Sequence, residues 1–266
     1  MKLFRNLGIV AIAIFSFFYT EKIANYMLLN NELYQEIEKE KASYEIKSVN
    51  AVIDGKYIVP GLNGLAVNVK DSYYNMKDIE IFNSYYLMFD TTYPDVSLNS
   101  NVDKIITRGN EQKQSVSFIL EYDKEIIEFF LEYGYDASVL VDIDTFDKNS
   151  ELEQINNEIN EYNNLDSLIN KYSNNSNVCY LNEKNEKLCK KKSKFLVKTN
   201  KILNDSTVID IKNSIKSGDI YYVAKNTDVK NIQLIINSIL YKDLDIVRIS
   251  ELISEERSWF NESFLV

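Results

Sequence analysis

Apolar and polar residues follow two different periods along the chain. A continuous apolar stretch over 7–19 is followed by apolar positions at near-helical spacing, which predict a polar helical stalk over 21–45. Short apolar runs separated by turn residues come next and predict a small β-rich module over 46–110. From Ser115 onward apolar runs alternate with helical patterns, which is typical of a mainly parallel sheet or barrel with helices outside.

The alternating region is predicted to extend over 111–256, with 257–266 as a C-terminal tail. Its first unit has an apolar strand ending at Glu121, an amphipathic helix over 124–133 and a C-capping Gly134. The remaining predicted elements are strands over 137–141, 194–200, 220–224 and 246–249, and helices over 150–161, 165–172, 210–217 and 231–240, with a final helical start at Glu251 and Leu252.

The first 20 residues have the composition of a membrane-targeting segment. Lys2 and Arg5 precede the apolar stretch, and no convincing cleavage site follows it. An uncleaved signal-anchor is the favoured interpretation, with a cleaved signal peptide and a buried core helix as the alternatives. Basic residues before the stretch place the N-terminus in the cytoplasm and the bulk of the chain outside.

Two cysteines, Cys179 and Cys189, agree with an extracytoplasmic location. A disulfide between them would close a short loop and contribute about 2.5–3 kcal/mol in the chain-entropy model. Two free thiols and a metal-binding pair are the alternatives, although neither a histidine nor a second cysteine pair is present to complete a zinc site.

Charge and composition exclude several classes of function. The 266 residues carry a formal net charge of −10, and the longest basic run is short, so nucleic acid is not an expected partner. The chain contains no histidine. Nucleophilic systems that need a histidine base, and metal sites that need imidazole ligands, are therefore excluded.

Two stretches of the alternating region resemble NodB-type polysaccharide deacetylases, the family 4 carbohydrate esterases. "SVSFILEYDKEIIEFFLEYGYDASVLVD" (115–142) is similar to their opening strand–helix–strand unit. "SGDIYYVAKNTDVKNIQLIINSILYKDLDIVRISELIS" (217–254) is similar to their closing unit. The resemblance covers about 112–254 and implies an α/β fold, an irregular (β/α) barrel of fewer than eight strands.

The resemblance also implies a site, which can be carried over position by position. The family uses one Asp and two His to hold a divalent metal, usually zinc, with a second Asp as base and a late His as acid. Here Glu121 occupies the base position and Tyr122 the metal-binding Asp position. The histidine motif falls near Asn164, and the acid position falls on Ala224. Only the base is conserved in chemistry, so no metal cofactor is expected.

These substitutions lead to three hypotheses of different classes. The first is a membrane-anchored, extracytoplasmic protein with an inactive deacetylase-like domain that binds cell-wall glycan or a wall-associated partner. The second is an active hydrolase with a non-standard carboxylate site built on Glu121, Asp123 and Asp142, in which Asp123 or Asp142 would rebuild an oxygen-ligand site for Mg²⁺ or Ca²⁺. The third is a structural partner in an envelope complex.

Overall fold

The computed structural model describes residues 2–141, 158–161, 178–181, 186–191, 195–199 and 201–257. They form two compact units. The first contains the residues up to Lys47 together with Gly64–Thr92, and the second contains Ser48–Asn63 together with the described residues from Tyr93 onward.

The helices and strands are numbered in chain order within the described residues. The helices are α1 (Lys2–Leu29), α2 (Glu32–Glu40), α3 (Val69–Met76), α4 (Lys124–Tyr133), α5 (Glu186–Lys191), α6 (Val208–Asn213), α7 (Val229–Leu240) and α8 (Ile249–Ile253). The strands are β1 (Val52–Asp54), β2 (Tyr57–Val59), β3 (Gly64–Val67), β4 (Phe89–Thr92), β5 (Ile105–Ile106), β6 (Ser115–Glu121), β7 (Ser138–Val141), β8 (Glu158–Glu161), β9 (Val178–Tyr180), β10 (Phe195–Val197), β11 (Lys201–Leu203), β12 (Ile220–Val223) and β13 (Asp245–Ile246).

The first unit packs α2 and α3 with an antiparallel β3–β4 pair. The predicted stalk is two helices rather than one. α1 ends at Leu29, and the Asn31 side chain caps α2 by accepting a hydrogen bond from the Tyr34 N–H at 3.2 Å. The apolar core of this unit consists of Leu33, Ile37, Val67, Val69, Met76 and Leu87.

The predicted signal-anchor over 1–20 is not supported by the structure. Within the part of the chain that is described, no helix has both the length and the apolar character needed to cross a membrane.

The second unit is built on two sheets that are mainly parallel. One has the order β1-β2-β5-β10-β9, and the other has the order β11-β12-β6-β7-β8, with β13 also pairing with β6. Every described pair in these sheets is parallel except β1–β2. The predicted α/β class is confirmed, whereas closure of the sheets into a barrel stays a prediction.

β6 lies at the centre of the second sheet and is buried along six of its seven residues. Phe118 and Leu120 point into a helix-side core against α4, α6 and α7, while Ile119 points into an inter-sheet core. This alternation follows from the two-residue period of a strand. The inter-sheet core also contains Ile58, Ile106, Leu140, Val178, Val197 and Ile220.

The predicted helix α4 is confirmed, together with its caps. Asp123 accepts the Glu125 N–H at 3.1 Å, and Gly134 ends the helix with φ 67°. The helix predicted over 150–161 is wrong at its end, because 158–161 form β8, which pairs in parallel with β7. Residues 150–157 and the helix predicted over 165–172 lie outside the described residues.

Two further differences come from short strands. The strand predicted over 246–249 ends at Ile246, and Ile249 already begins α8. β9 and β11 were not predicted, because three apolar or mixed residues give no periodic signal until a neighbouring strand pairs with them.

Candidate functional site

The candidate site lies at the carboxyl ends of β6 and β12, which are neighbours in the sheet. Their register pairs Leu120 with Val223, so Glu121 and Ala224 follow at the same edge. The structure therefore brings two of the predicted site positions together. Asn164 and Asp142 lie outside the described residues.

The Glu121 side chain lies on the inter-sheet face of β6, the same face as Ile119. It is half-buried, and its Oε2 accepts two hydrogen bonds. The Tyr222 hydroxyl donates at 3.2 Å, and the Lys225 backbone N–H donates at 3.1 Å. Through these hydrogen bonds, the carboxylate at the base position links the end of β6 to β12 and to the loop that follows it.

A second acidic residue, Asp123, also accepts a hydrogen bond from the loop that follows β12. Asp123 caps α4 with one oxygen and accepts the Asn226 N–H at 3.0 Å with the other. Asn226 has φ 60°, a conformation that asparagine tolerates better than most residues. Both oxygens of Asp123 are used in holding the backbone, so the structure gives this residue a local role in shaping the edge of the sheet.

Tyr222, whose hydroxyl donates to Glu121, stacks on a second tyrosine ring. Tyr180 ends β9 and stacks on Tyr222, with ring centroids 5.4 Å apart and an interplanar angle of 17°. Both rings are half-buried and pack against the inter-sheet core. Because the rings come from different sheets, they form an aromatic wall next to Glu121 that neither strand provides alone.

Tyr122 is turned away from this wall. Its ring packs against the helix-side core, and its backbone N–H donates to the Leu140 carbonyl at 3.1 Å. The position that carries a metal-binding carboxylate in deacetylases therefore holds a packed aromatic ring in this chain.

Ala224 places a methyl group where the resemblance expects a catalytic acid. Its backbone N–H donates to the Leu203 carbonyl at 3.1 Å, which continues the pairing of β12 with β11. A methyl group cannot transfer a proton, so this position supplies structure rather than acid catalysis.

The residues do not fit the divalent metal that the fold family implies. No histidine exists in the chain. Among the described residues, no group of three histidine, cysteine, aspartate or glutamate side chains is placed to hold a metal ion. At this edge, Oε2 of Glu121 and both carboxylate oxygens of Asp123 accept from backbone and hydroxyl donors.

The predicted disulfide is present. Cys179 of β9 and Cys189 of α5 are bonded to each other, and both are buried. The bond fastens α5 to the strand that carries Tyr180, so it lies one residue from the aromatic wall.

Sequence reasoning missed Tyr180, Tyr222 and Lys225. The alternation of β12 could have placed Tyr222 on the same face as Ile220, because the two lie two positions apart along the strand. Nothing in the sequence indicates that Tyr180 stacks on it, since they belong to strands of different sheets.

Comparison with known proteins supports the fold more than any activity. No family model matches the chain. A segment of 89 residues is 37% identical to the uncharacterized protein YlxY of Bacillus subtilis strain 168. This match covers 33% of the present chain and 28% of YlxY, so the chain spans less than a third of that protein's length.

Solved structures match over most of the chain. BA3943 of Bacillus anthracis, described as a family 4 carbohydrate esterase pseudoenzyme, is 20% identical with a TM-score of 0.61, over 86% of this chain and 97% of that chain. A BA3943 mutant with restored enzymatic activity gives the same identity and TM-score and is covered completely. The chain therefore has the divergent NodB-like deacetylase fold of the family 4 carbohydrate esterases.

Proposed function

We propose that this chain is a catalytically inactive, deacetylase-like protein that binds cell-wall glycan at the carboxyl ends of its strands. One observation carries the proposal. The Glu121 carboxylate, at the position of the family's base, is held by the Tyr222 hydroxyl and the Lys225 N–H.

The lack of activity follows from the chemistry of three positions. Hydrolysis of an amide by this family needs a metal to polarise the carbonyl, a base for water and an acid for the leaving amine. Tyr122 packs into the helix-side core, Ala224 has no proton to give, and Glu121 serves as a structural acceptor. The similarity to a protein described as a pseudoenzyme supports the same conclusion.

Glycan binding is supported by the wall of Tyr180 and Tyr222. An aromatic face with a nearby carboxylate matches the apolar face and hydroxyl rim of a sugar ring, because the ring stacks while the carboxylate accepts from hydroxyls. A neutral sugar chain is the partner that we propose for this site.

The first experiment tests catalysis. Full-length protein is incubated with chitopentaose, with and without added Zn²⁺, and deacetylated products are measured by mass spectrometry. We expect no product under either condition. Turnover that appears with metal or without it contradicts the pseudoenzyme proposal and favours a hydrolase with a carboxylate site.

The second experiment tests binding, with a matched pair of variants. Tyr180→Ala removes one ring of the wall, whereas Tyr241→Ala removes a ring that is 90% exposed on another part of the surface. Retention on insoluble peptidoglycan should fall about tenfold for Tyr180→Ala and stay unchanged for Tyr241→Ala. Equal retention of all three proteins contradicts glycan binding here and favours a structural role in an envelope complex.

The extracytoplasmic location is part of the proposal, and membrane anchoring stays a prediction. The disulfide between Cys179 and Cys189 supports an oxidising compartment. Protease added to intact, wall-stripped cells should digest the C-terminal bulk of the chain. A protected C-terminal bulk rules out this topology.

A further inference from the structure

A groove of about 620 Å³ lies where the chain passes from β10 to β11, away from the aromatic wall. Ile220, the first residue of β12, lines it, whereas Tyr222 lies toward the other end of that strand. The groove is lined by Tyr57, Thr107, Arg108, Lys198, Thr199, Lys201, Ser214, Lys216, Asp219 and Ile220.

The lining is basic although the chain as a whole is acidic. It contains four cations and a single carboxylate, in a protein with a formal net charge of −10. The groove thus concentrates positive charge locally on a protein whose net charge is negative. Such a local concentration attracts anions to the groove.

The carboxylate is already neutralised within the groove wall. Asp219 is 5% exposed, and its Oδ2 accepts from Lys201 Nζ at 2.5 Å, from the Lys216 N–H at 2.8 Å and from the Tyr221 hydroxyl at 3.0 Å. Lys201 also donates to the Ser214 carbonyl at 2.7 Å. Lys201 and Asp219 therefore neutralise each other, and the net positive charge of the groove comes from the other cations.

Arg108 is held in place with part of its donor capacity unused. Its Nη1 pairs with Glu111 at 2.7 Å, and its Nη2 donates to the Ser217 carbonyl at 2.7 Å. Within the described residues, Nε of Arg108 and Oγ of Ser217 are buried and have no hydrogen-bond partner. Buried donors of this kind normally have a partner, so they indicate that a polar group belongs beside them.

Lys198 and Lys216 supply the accessible charge. Both are exposed, and across the described ranges neither ammonium group forms a hydrogen bond or an ion pair. The hydrogen bond from Lys190, at 2.7 Å, lowers the pKa of the Glu186 carboxyl, and Lys198 adds only a small contribution, so Glu186 is already paired with another lysine. Two lysines and an anchored arginine around one groove are the donor set that carboxylate and phosphate oxygens require.

We propose that this groove binds an anionic glycan through carboxylate or phosphate groups carried on a hydroxylated chain. The volume is that of a small-ligand site, and the hydroxyls of Thr107 and Tyr57 add neutral donors and acceptors beside the cations. Tyr57 is 38% exposed, and the Lys56 ammonium lies over its ring, 5.3 Å from the centroid. The site does not depend on the carboxyl-end site proposed above.

The test compares four probes on the full-length protein by isothermal titration calorimetry. They are tri-galacturonate, the neutral trisaccharide of N-acetylglucosamine, a short poly(glycerol phosphate) and inorganic phosphate. We expect one or both of the anionic chains to bind at least about tenfold more tightly than the neutral sugar, with affinity that falls as salt rises. The chain that binds more tightly identifies the carrier as a uronate or a phosphodiester.

Two double variants locate the site. Lys198→Gln with Lys216→Gln should weaken the anionic chain about tenfold, and Lys212→Gln with Lys230→Gln, also at exposed positions, should leave it within about twofold. Tyr180→Ala should not change this affinity. The proposal is overturned by equal loss in both double variants, by inorganic phosphate binding as tightly as the chains, or by no binding of either chain.

Discussion

Lys113 is a buried lysine in the second unit, and its charge carries a measurable cost. Its side chain is 8% exposed, and its Nζ donates to the Glu251 carbonyl in α8. Burial lowers the pKa of Lys113 from 10.5 to about 8, and the nearby carboxylates of Glu251 and Glu256 offset only part of that effect. The folded protein therefore binds this proton more weakly than the unfolded chain.

The difference between the two pKa values sets the magnitude. At about 1.4 kcal/mol for each pH unit between about 8 and 10.5, burying the charged form of Lys113 should lower the free energy of unfolding at neutral pH by roughly 3 kcal/mol. Because the folded pKa is the lower one, this cost falls as pH rises above about 8 and is gone above about 10.5, so the free energy of unfolding increases over that range. Between pH 7.5 and 9.5 the gain should be about 2 kcal/mol.

The assay is urea unfolding of the wild type, Lys113→Met and Lys212→Met at several pH values from 7.5 to 9.5. Subtracting the Lys113→Met values removes the titration of all other groups. The wild-type free energy of unfolding should rise by about 2 kcal/mol relative to Lys113→Met, and should not rise relative to Lys212→Met, which changes an exposed lysine. A flat difference against Lys113→Met shows that the folded protein does not penalise this charge, and refutes the reasoning.

Three further perturbations have defined outcomes. Gly218→Ala should lower the free energy of unfolding by more than about 2 kcal/mol, because residue 218 has φ 84° and the new Cβ would lie 2.4 Å from the Gly109 carbonyl oxygen. The control Gly134→Ala, which places its Cβ in open space, should lower it by only about 1 kcal/mol. Equal losses in the two variants would contradict the close approach at Gly218. Reducing the bond between Cys179 and Cys189 should lower the free energy of unfolding by about 2.5–3 kcal/mol, measured by urea unfolding with and without dithiothreitol, and a change below about 1 kcal/mol would show that the loop is constrained without it. Glu121→Ala should lower the free energy of unfolding by about 1–3 kcal/mol in the same assay, because it removes two hydrogen bonds. An unchanged free energy would contradict the role of Glu121 in linking β6 to the loop after β12.

Long periodic segments were predictable because their local pattern and their tertiary environment agree. The helix after Glu121 has its apolar stripe, its Asp123 cap and its Gly134 end within one short stretch, and all three are confirmed. β8 shows the opposite case: its polar sequence favours a helix, and only pairing with β7 makes it a strand. Local propensity is a weak energy, and a neighbouring strand that satisfies the backbone outweighs it.

The candidate site divides in the same way. The carboxylate of Glu121 at the end of a buried strand was predictable, since a run of apolar residues that stops at an acid marks a strand's end. Its bonds to Tyr222 and Lys225 were not, because more than 100 residues separate the partners. The basic groove was invisible for the same reason, as its cations are scattered among more numerous acids along the chain.

The sequence by itself determined which chemistry is absent: without histidine, neither the family's metal site nor its acid can be assembled from these side chains. It also determined the alternation of strands and helices, since the apolar period is a local property. The tertiary structure alone decided what the remaining carboxylate does and which residues surround it. Register between β6 and β12 places a hydroxyl and an amide against Glu121, and that register depends on burying both strands in shared cores.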